Sequence, residues 1–242
     1  MISTIPSYST SVTQIRMIAD HSCEILLQKP KSFQFQAGQH LYLKLNKLLY
    51  DDRKGQRRTF TIASAPFESE LRLATRLTGS GFKRTLMEMT DSQVEIMGPK
   101  GEMVLDTSFP AIFIAGGIGI TPFRSMVLEG LKMTTISSMT LLYSNPRLET
   151  AVYHDLFTEL ASFHSKRFYY YPTLTAQADQ DASWRGERRR LDHVFIRDYV
   201  PPLGQVKYYL CGPQTLVQTL MDSLLHENVR AENIRSEIFW GY

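Results

Sequence analysis

The chain has 242 residues, is 43% hydrophobic and 21% charged, and carries a formal net charge of +3. That length holds one large domain or two small ones, the apolar content is ordinary for a globular protein, and the charge is too small to argue for nucleic-acid binding. Two cysteines, Cys23 and Cys211, exclude a disulfide framework and an iron–sulfur cluster held by these residues alone, and they fit a reducing compartment.

The first hundred residues read as short strands over 11–19, 23–29, 39–46, 57–64, 70–78 and 93–99. The run ELRLATRLT alternates well, with Leu71, Leu73, Thr75 and Leu77 on one face and Arg72, Ala74 and Arg76 on the other. Turn residues separate the runs at Ala37-Gly38, at 51–55 and at Ala65-Pro66. Six short strands with such spacing predict a small antiparallel β-barrel. One helix interrupts them, because Phe82, Leu86 and Met89 recur at helical spacing after TGSG.

The rhythm changes after Asp106. Strands are predicted at 111–115, 140–144, 168–174, 206–211 and 236–240. Helical apolar stripes lie between them: Phe123, Met126, Val127 and Leu131; Tyr153, Leu156, Phe157, Leu160 and Phe163; Leu216, Val217, Leu220 and Leu224. The stretch QADQDASWRGERRR reads as a polar loop. Strands alternating with helices predict an α/β domain with a parallel, Rossmann-like sheet. The expected domains are 1–105 and 106–242.

The segment AGGIGITP, 115–122, joins a buried strand to a helix. Gly116, Gly117 and Gly119 let the backbone approach a phosphate, Thr121 suits a cap and Pro122 a first helical position. The N-terminus of the helix then attracts an anion. The spacing differs from G-x-G-x-x-G. The longest apolar run, 110–123, includes this turn and is too short to span a membrane. No basic start with an apolar block follows Met1, and the six histidines lack metal-ligand spacing, so a cytoplasmic protein without a metal site is expected.

Six motifs, in order, resemble the ferredoxin–NADP reductase superfamily: FQAGQ (35–39), RTFT (58–61), GPKGEM (98–103), AGGIGITP (115–122), LCGP (210–213) and the terminal E-x-F-x-G-Y (237–242). The resemblance runs from Phe35 to the last residue. It implies a flavin-binding barrel followed by an NAD(P) domain, with FAD rather than FMN as the flavin. In the Arg-x-Tyr/Phe-Ser/Thr pattern formed with Thr59, Arg58 would pair with the flavin phosphate, Phe60 would lie on the isoalloxazine and Thr61 would face its N5 edge. A regular strand puts Arg58 and Phe60 on one face and Thr61 on the other, so the strand must bend or the flavin must straddle its end. Thr75 and Arg76 would meet the flavin through their backbone. Gly81, Phe82 and Lys83 would receive a diphosphate at a helix start.

The resemblance further places the Cys211 thiol beside the nicotinamide, flanked by Gly212 and Pro213. Glu237 would relay protons or hold the nicotinamide, and Tyr242 would stack over the flavin. Ser144 ends the second strand of the α/β half and Asn145 and Arg147 follow it, where acidic residues often mark NAD preference. Their character favours NADPH, with NADH the alternative. The implied activity is hydride transfer from NAD(P)H to bound FAD, then electron delivery to a separate ferredoxin, flavodoxin, free flavin or ferric chelate. The basic segments 51–58 and 185–190 suit an acidic redox partner. The alternatives are a free-flavin or ferric reductase, an electron-transfer subunit with little activity alone, and a flavin-binding sensor.

Overall fold

A computed structural model describes residues 5–89, 92–176, 184–200 and 205–239. Six strands come first: β1 (Ser7–Ala19), β2 (Ser22–Gln28), β3 (His40–Leu45), β4 (Arg57–Thr61), β5 (Glu70–Arg76) and β6 (Gln93–Lys100). Helix α1 (Gly81–Glu88) lies between the last two strands. The strands pair antiparallel in the order β4-β3-β6-β1-β2-β5. Alternation decides what points inward: Leu41, Leu43 and Leu45 of β3 are buried, whereas His40, Tyr42 and Lys44 are half-buried. They pack with Ile25, Leu27, Leu71, Leu73, Val94 and Ile96, and with Phe82 of α1. The outer strands approach each other through an Ile62–Leu73 bridge, which nearly closes the barrel.

Two boundaries differ from expectation for reasons of pairing. Strand β1 begins at Ser7, because residues 7–11 pair with β6 before residues 12–19 pair with β2. Its first residues are polar and partly exposed, so they carry no apolar pattern. Strand β4 ends at Thr61, because the chain changes partner there. The Ile62 N–H still donates to Gln39 (2.9 Å), but the Ala63 N–H donates to Arg72 of β5 (2.7 Å).

The second half forms a five-stranded parallel sheet in the order β11-β10-β7-β8-β9. In chain order it runs β7 (Ala111–Gly116), α2 (Thr121–Lys132), β8 (Met139–Asn145), α3 (His154–Phe163), β9 (Phe168–Leu174), α4 (His193–Tyr199), β10 (Lys207–Pro213), α5 (Gln214–His226) and β11 (Ile234–Phe239). Both faces are covered, so β7 is buried throughout. Ala111, Phe113 and Ala115 pack with Phe123, Met126 and Val127 of α2 and Phe157 of α3. Ile112 and Ile114 pack with Phe195 and Ile196 of α4 and Val217, Leu220 and Leu224 of α5.

Helix α4 is absent from the sequence reading. It is too short for periodicity to register, and it starts where Asp192 accepts from the Phe195 N–H (2.9 Å). Among the described residues no helix is long and apolar enough to cross a membrane, and no group of three or more metal-ligating side chains is assembled. Cys23 and Cys211 are both free and buried.

A buried ion network ties the two sheets together. Arg124 of α2 forks onto Glu68 of the β4–β5 loop (2.7 and 3.1 Å) and donates to the Ala63 carbonyl (2.8 Å). The next residue, Ser125, donates to the Ser64 carbonyl (2.6 Å). Glu24 of β2 is fully buried, and it accepts from Arg16 (2.7 Å), Arg72 (3.0 Å) and the Tyr153 hydroxyl (2.9 Å). Arg72 also reaches Glu68 (3.2 Å), which joins both carboxylates into one network.

Burial pushes the Glu68 carboxyl up, but Arg124, the Ala65 N–H and Arg72 outweigh it and hold the carboxyl below its ordinary 4.5. Stability from this pairing is therefore present above the unfolded value and is lost as acid carries the pH down through the lowered folded value. Replacing Arg124 by Met leaves a largely buried carboxylate with only Arg72 and the Ala65 N–H for partners among the described residues. The expected loss is about 3 kcal/mol in chemical denaturation. Adding Glu68→Gln should recover part of that loss, and a neutral Arg124→Met variant would show the network to be dispensable.

Candidate active site

The partner change at Thr61 resolves the facing problem in RTFT. As the chain leaves β3 for β5, Arg58, Phe60 and Thr61 all come to line one cavity of about 420 Å³. Thr75 of β5 completes its barrel side, and Thr121 and Glu237 close it from the α/β half. A second cavity of about 510 Å³ shares Arg58, Thr59, Phe60 and Thr75 and continues to Asp52, Gly79, Gly81 and Lys83 at the start of α1. The two adjoin as one crevice: the first part lies between the barrel and the α/β half, and the second part is lined by barrel residues alone.

Each end has its own chemistry. Phe60 is only 5% exposed and packs on Phe82 of α1 (6.2 Å between centroids), so it is largely barrel core and shows the crevice little more than an edge. Arg58 lies 4.9 Å from the Phe82 ring, pairs with Asp52 and donates to the Lys54 and Gly55 carbonyls (3.0 and 2.9 Å). The Lys83 amine donates to the Arg76 carbonyl (2.6 Å) and the Thr78 hydroxyl (3.3 Å). Burial drives the Lys83 amine down to about 8, with Arg58, Lys54 and Arg76 adding repulsion against an attraction from Cys23. These clustered cations would be relieved by a bound anion. Arg76 itself is exposed and offers this end its carbonyl.

On the α/β side, residues 117–120 form a 3-10 turn that leads directly into α2. Thr121 therefore does not cap the helix as expected. It is already helical, and its hydroxyl donates to the Ile118 carbonyl (3.1 Å), while Ile120 holds the cap position. The turn packs against the end of β10. A Cβ on Gly119 would lie 2.4 Å from the Cys211 carbonyl, and one on Gly212 would meet the Gly116 backbone at 3.0 Å. Two motifs far apart in sequence thus interlock at the C-terminal ends of β7 and β10, where open α/β sheets bind ligands.

Cys211 pairs in register with Glu237 of β11. Its thiol is buried and pushed well up, first by desolvation and then by the Glu237 charge, so it stays protonated and neutral. Glu237 Oε1 lies 3.5 Å from His40 Nδ1, and its Oε2 is buried with no hydrogen-bond partner among the described residues. Asn145 Oδ1, at the end of β8, is a second such orphan, and Ser144 beside it is half-buried. Arg147 pairs with Asp20 across the two halves (2.9 Å). Pro213 ends β10 and is exposed. Tyr242 lies outside the described residues.

The residues present fit a flavin dinucleotide and a nicotinamide nucleotide. Lys54 and Arg58 line both parts of the crevice, Lys83 adds a cation at the α1 end, and orphan acceptors lie at the sheet end. Sequence reasoning missed His40, Asp52 and Lys54. His40 follows the FQAGQ motif, which was a usable signal; Asp52 and Lys54 belong to the basic segment 51–58, which reads as a partner surface and carries no signal for a cofactor site at these two positions.

The protonated Lys83 amine favours anions, so affinity for phosphate-bearing flavins should fall as pH rises through about 8. Titrating FAD at about pH 7 and about pH 9 checks this, and Lys83→Met should flatten the difference. Gly119→Ala should weaken NAD(P)H binding about tenfold or more by forcing the turn off the Cys211 carbonyl, with flavin binding retained. Unchanged nucleotide affinity in that variant would show that the close approach is not needed.

The FAD-binding domain family matches residues 7–146, and the oxidoreductase NAD-binding domain family matches residues 113–222. The chain is 28% identical to the phenol hydroxylase P5 protein of Acinetobacter pittii, over 97% of this chain and 66% of that protein. It is 30% identical to the reductase component of phenol 2-monooxygenase from Pseudomonas sp. (strain CF600), over 89% of this chain and 60% of that protein. The chain thus spans less than two thirds of the length of these relatives. In fold it resembles a ferredoxin NADP+ reductase from Neisseria gonorrhoeae with bound FAD and NADP, with a TM-score of 0.80 and 16% identity, over 96% of this chain and 98% of that one. The chain belongs to the ferredoxin–NADP reductase-like family of FAD- and NAD(P)-binding flavin oxidoreductases.

Proposed function

We propose that residues 1–105 hold FAD, that residues 106–242 hold NAD(P)H, and that the chain passes electrons from the nucleotide to a separate acceptor. The meeting of Arg58, Phe60 and Thr61 with Thr121 and Glu237 in one crevice carries this reading. Bound flavin supplies the redox chemistry, accepting a hydride from NAD(P)H and releasing electrons onward. The protein's part is to bind, orient and exclude water.

Arg58, Lys83 and the start of α1 hold the flavin diphosphate, with Thr75, Arg76 and Gly81 shaping that end. Phe60 supports the ring system, and the Thr61 hydroxyl faces its reactive edge. Gly116, Gly117, Gly119 and Thr121 admit the nucleotide diphosphate. Cys211, Gly212 and Pro213 form the nicotinamide floor. The neutral Cys211 thiol positions and packs, and it takes no charge. Glu237 is the polar group that orients the nicotinamide or moves a proton, and Tyr242 covers the flavin. Ser144, Asn145 and Arg147 take the adenosine end, which favours NADPH. Because Arg147 already pairs with Asp20, a 2′-phosphate must draw it away, and NADH remains the alternative.

The acceptor is an acidic redox protein. Arg53, Lys54 and Arg57 are exposed and line the crevice mouth, where opposite charge steers encounter. The phenol-hydroxylase relatives favour electron delivery to an oxygenase over a ferredoxin or flavodoxin. The alternative reading is an electron-transfer subunit that works inside a larger complex.

An anaerobic visible spectrum, taken before and after one equivalent of NADPH and then of NADH, tests the proposal. Bleaching of a flavin spectrum is expected, and bound flavin that stays oxidised with both donors sinks the hydride-transfer reading. Glu237→Gln should slow the reduction by about a hundredfold, the low end of what positioned acid–base groups contribute, without loss of flavin.

A further inference from the structure

The loop joining β3 to β4 carries a carboxylate into the diphosphate end of the crevice. Asp52 Oδ2 accepts from the Phe82 N–H (2.9 Å), in the first turn of α1. Its Oδ1 accepts from the Lys54 N–H (2.9 Å) and pairs with Arg58. The carboxylate is only 6% exposed. The loop is seated firmly, since a Cβ on Gly81 would lie 2.1 Å from the Asp51 carbonyl. The cavity at this end is walled by Asp52, Arg58, Gly81 and Lys83 together. A flavin diphosphate would call on the same two donors that Asp52 holds, the first-turn N–H and the guanidinium.

We propose that Asp52 is an internal anion that competes with the flavin diphosphate for Arg58 and the start of α1, and so lowers the affinity for phosphate-bearing flavins. This rests on the flavin reading above and deepens it, because it sets how readily the flavin exchanges. A tethered carboxylate acts at high effective concentration, and a ligand that must displace it has its Kd divided by the fraction of open sites, so its affinity falls by that factor. Retention then depends on what Asp52 does not contact: the Lys83 amine and the ring system at Phe60 and Thr61, since the Lys83 N–H is already capped by the Ser80 hydroxyl (3.3 Å). Burial raises the Asp52 carboxyl, but the Phe82 and Lys54 N–H groups and Arg58 bring it down to about 2, so the competitor keeps its charge at working pH.

The test compares FAD, FMN and riboflavin binding to the wild-type chain and to Asp52→Asn and Asp52→Ala. Fluorescence titration gives the Kd values, and thermal melting confirms folding. The expected result is FAD and FMN affinity raised about tenfold in both variants, with riboflavin, which has no phosphate, unchanged. Inorganic pyrophosphate should also raise the melting temperature of the variants more than that of the wild type. Weaker FAD binding in both variants would overturn the proposal and make Asp52 a support that orients Arg58. An equal change for FAD and riboflavin, or no change, would also overturn it. Failure of every flavin to bind every form would instead remove the flavin reading, and this inference with it.

Discussion

The fork between Arg124 and Glu68 is the contact on which the site depends. It joins helix α2, which follows the glycine turn of the parallel sheet, to the loop that follows the RTFT strand of the barrel. The same helix therefore places the turn and carries the clamp. Arg124 and Ser125 donate to consecutive carbonyls, Ala63 and Ser64, just beyond the point where β4 changes partner. The bend that brings Thr61 into the crevice is thus held from the opposite domain. Buried ion pairs add little net stability against apolar substitutes, but breaking one strands a charge. Here the directionality of the fork sets one relative orientation of the two sheets. That orientation decides whether groups from the barrel and from the parallel sheet can face one reacting centre.

The network also explains the cost accepted elsewhere. Glu24 is fully buried, which is tolerable because two arginines and the Tyr153 hydroxyl share it. Burial drives the Tyr153 hydroxyl well up, and the neighbouring Glu24 charge adds to this, so it remains a donor. Apolar contacts complete the seam. Ala37, Ala74 and Met103 of the first half pack into the same core as Phe113 and Phe123 of the second. Small residues at two of these positions let the sheets approach closely.

Within the crevice, charge is arranged by position. Arg58 and Lys83 line the α1 end with Asp52 set between Arg58 and the start of the helix, whereas Glu237 lies at the far end beside a neutral thiol. Glu237 also lines a neighbouring cavity of about 530 Å³ with His40 and Arg235, so its carboxylate stands between the crevice and the outside. Its buried Oε2 needs a donor, and a bound ligand can provide one.

Local pattern was enough to read the two architectures from the chain. Alternation in ELRLATRLT and the buried run AIFIA follow from side-chain burial along one element, and such periodicities survive without tertiary information. The family was also legible, because short motifs such as RTFT, AGGIGITP and LCGP keep their order in the sequence. What the linear chain could not disclose was any contact between segments. The Thr121 cap failed because the 3-10 turn leaves no break before α2, and α4 escaped because two turns show no period. Arg147 looked free in sequence and meets Asp20 in space. Asp52 lay in the basic segment that reads as a partner surface, and only the packing of that loop on Gly81 sets its carboxylate against Arg58 and the start of α1. Burial is local enough to leave a pattern in sequence, whereas pairing between distant charges depends on where the backbone returns, and that is settled only when the domains close on each other.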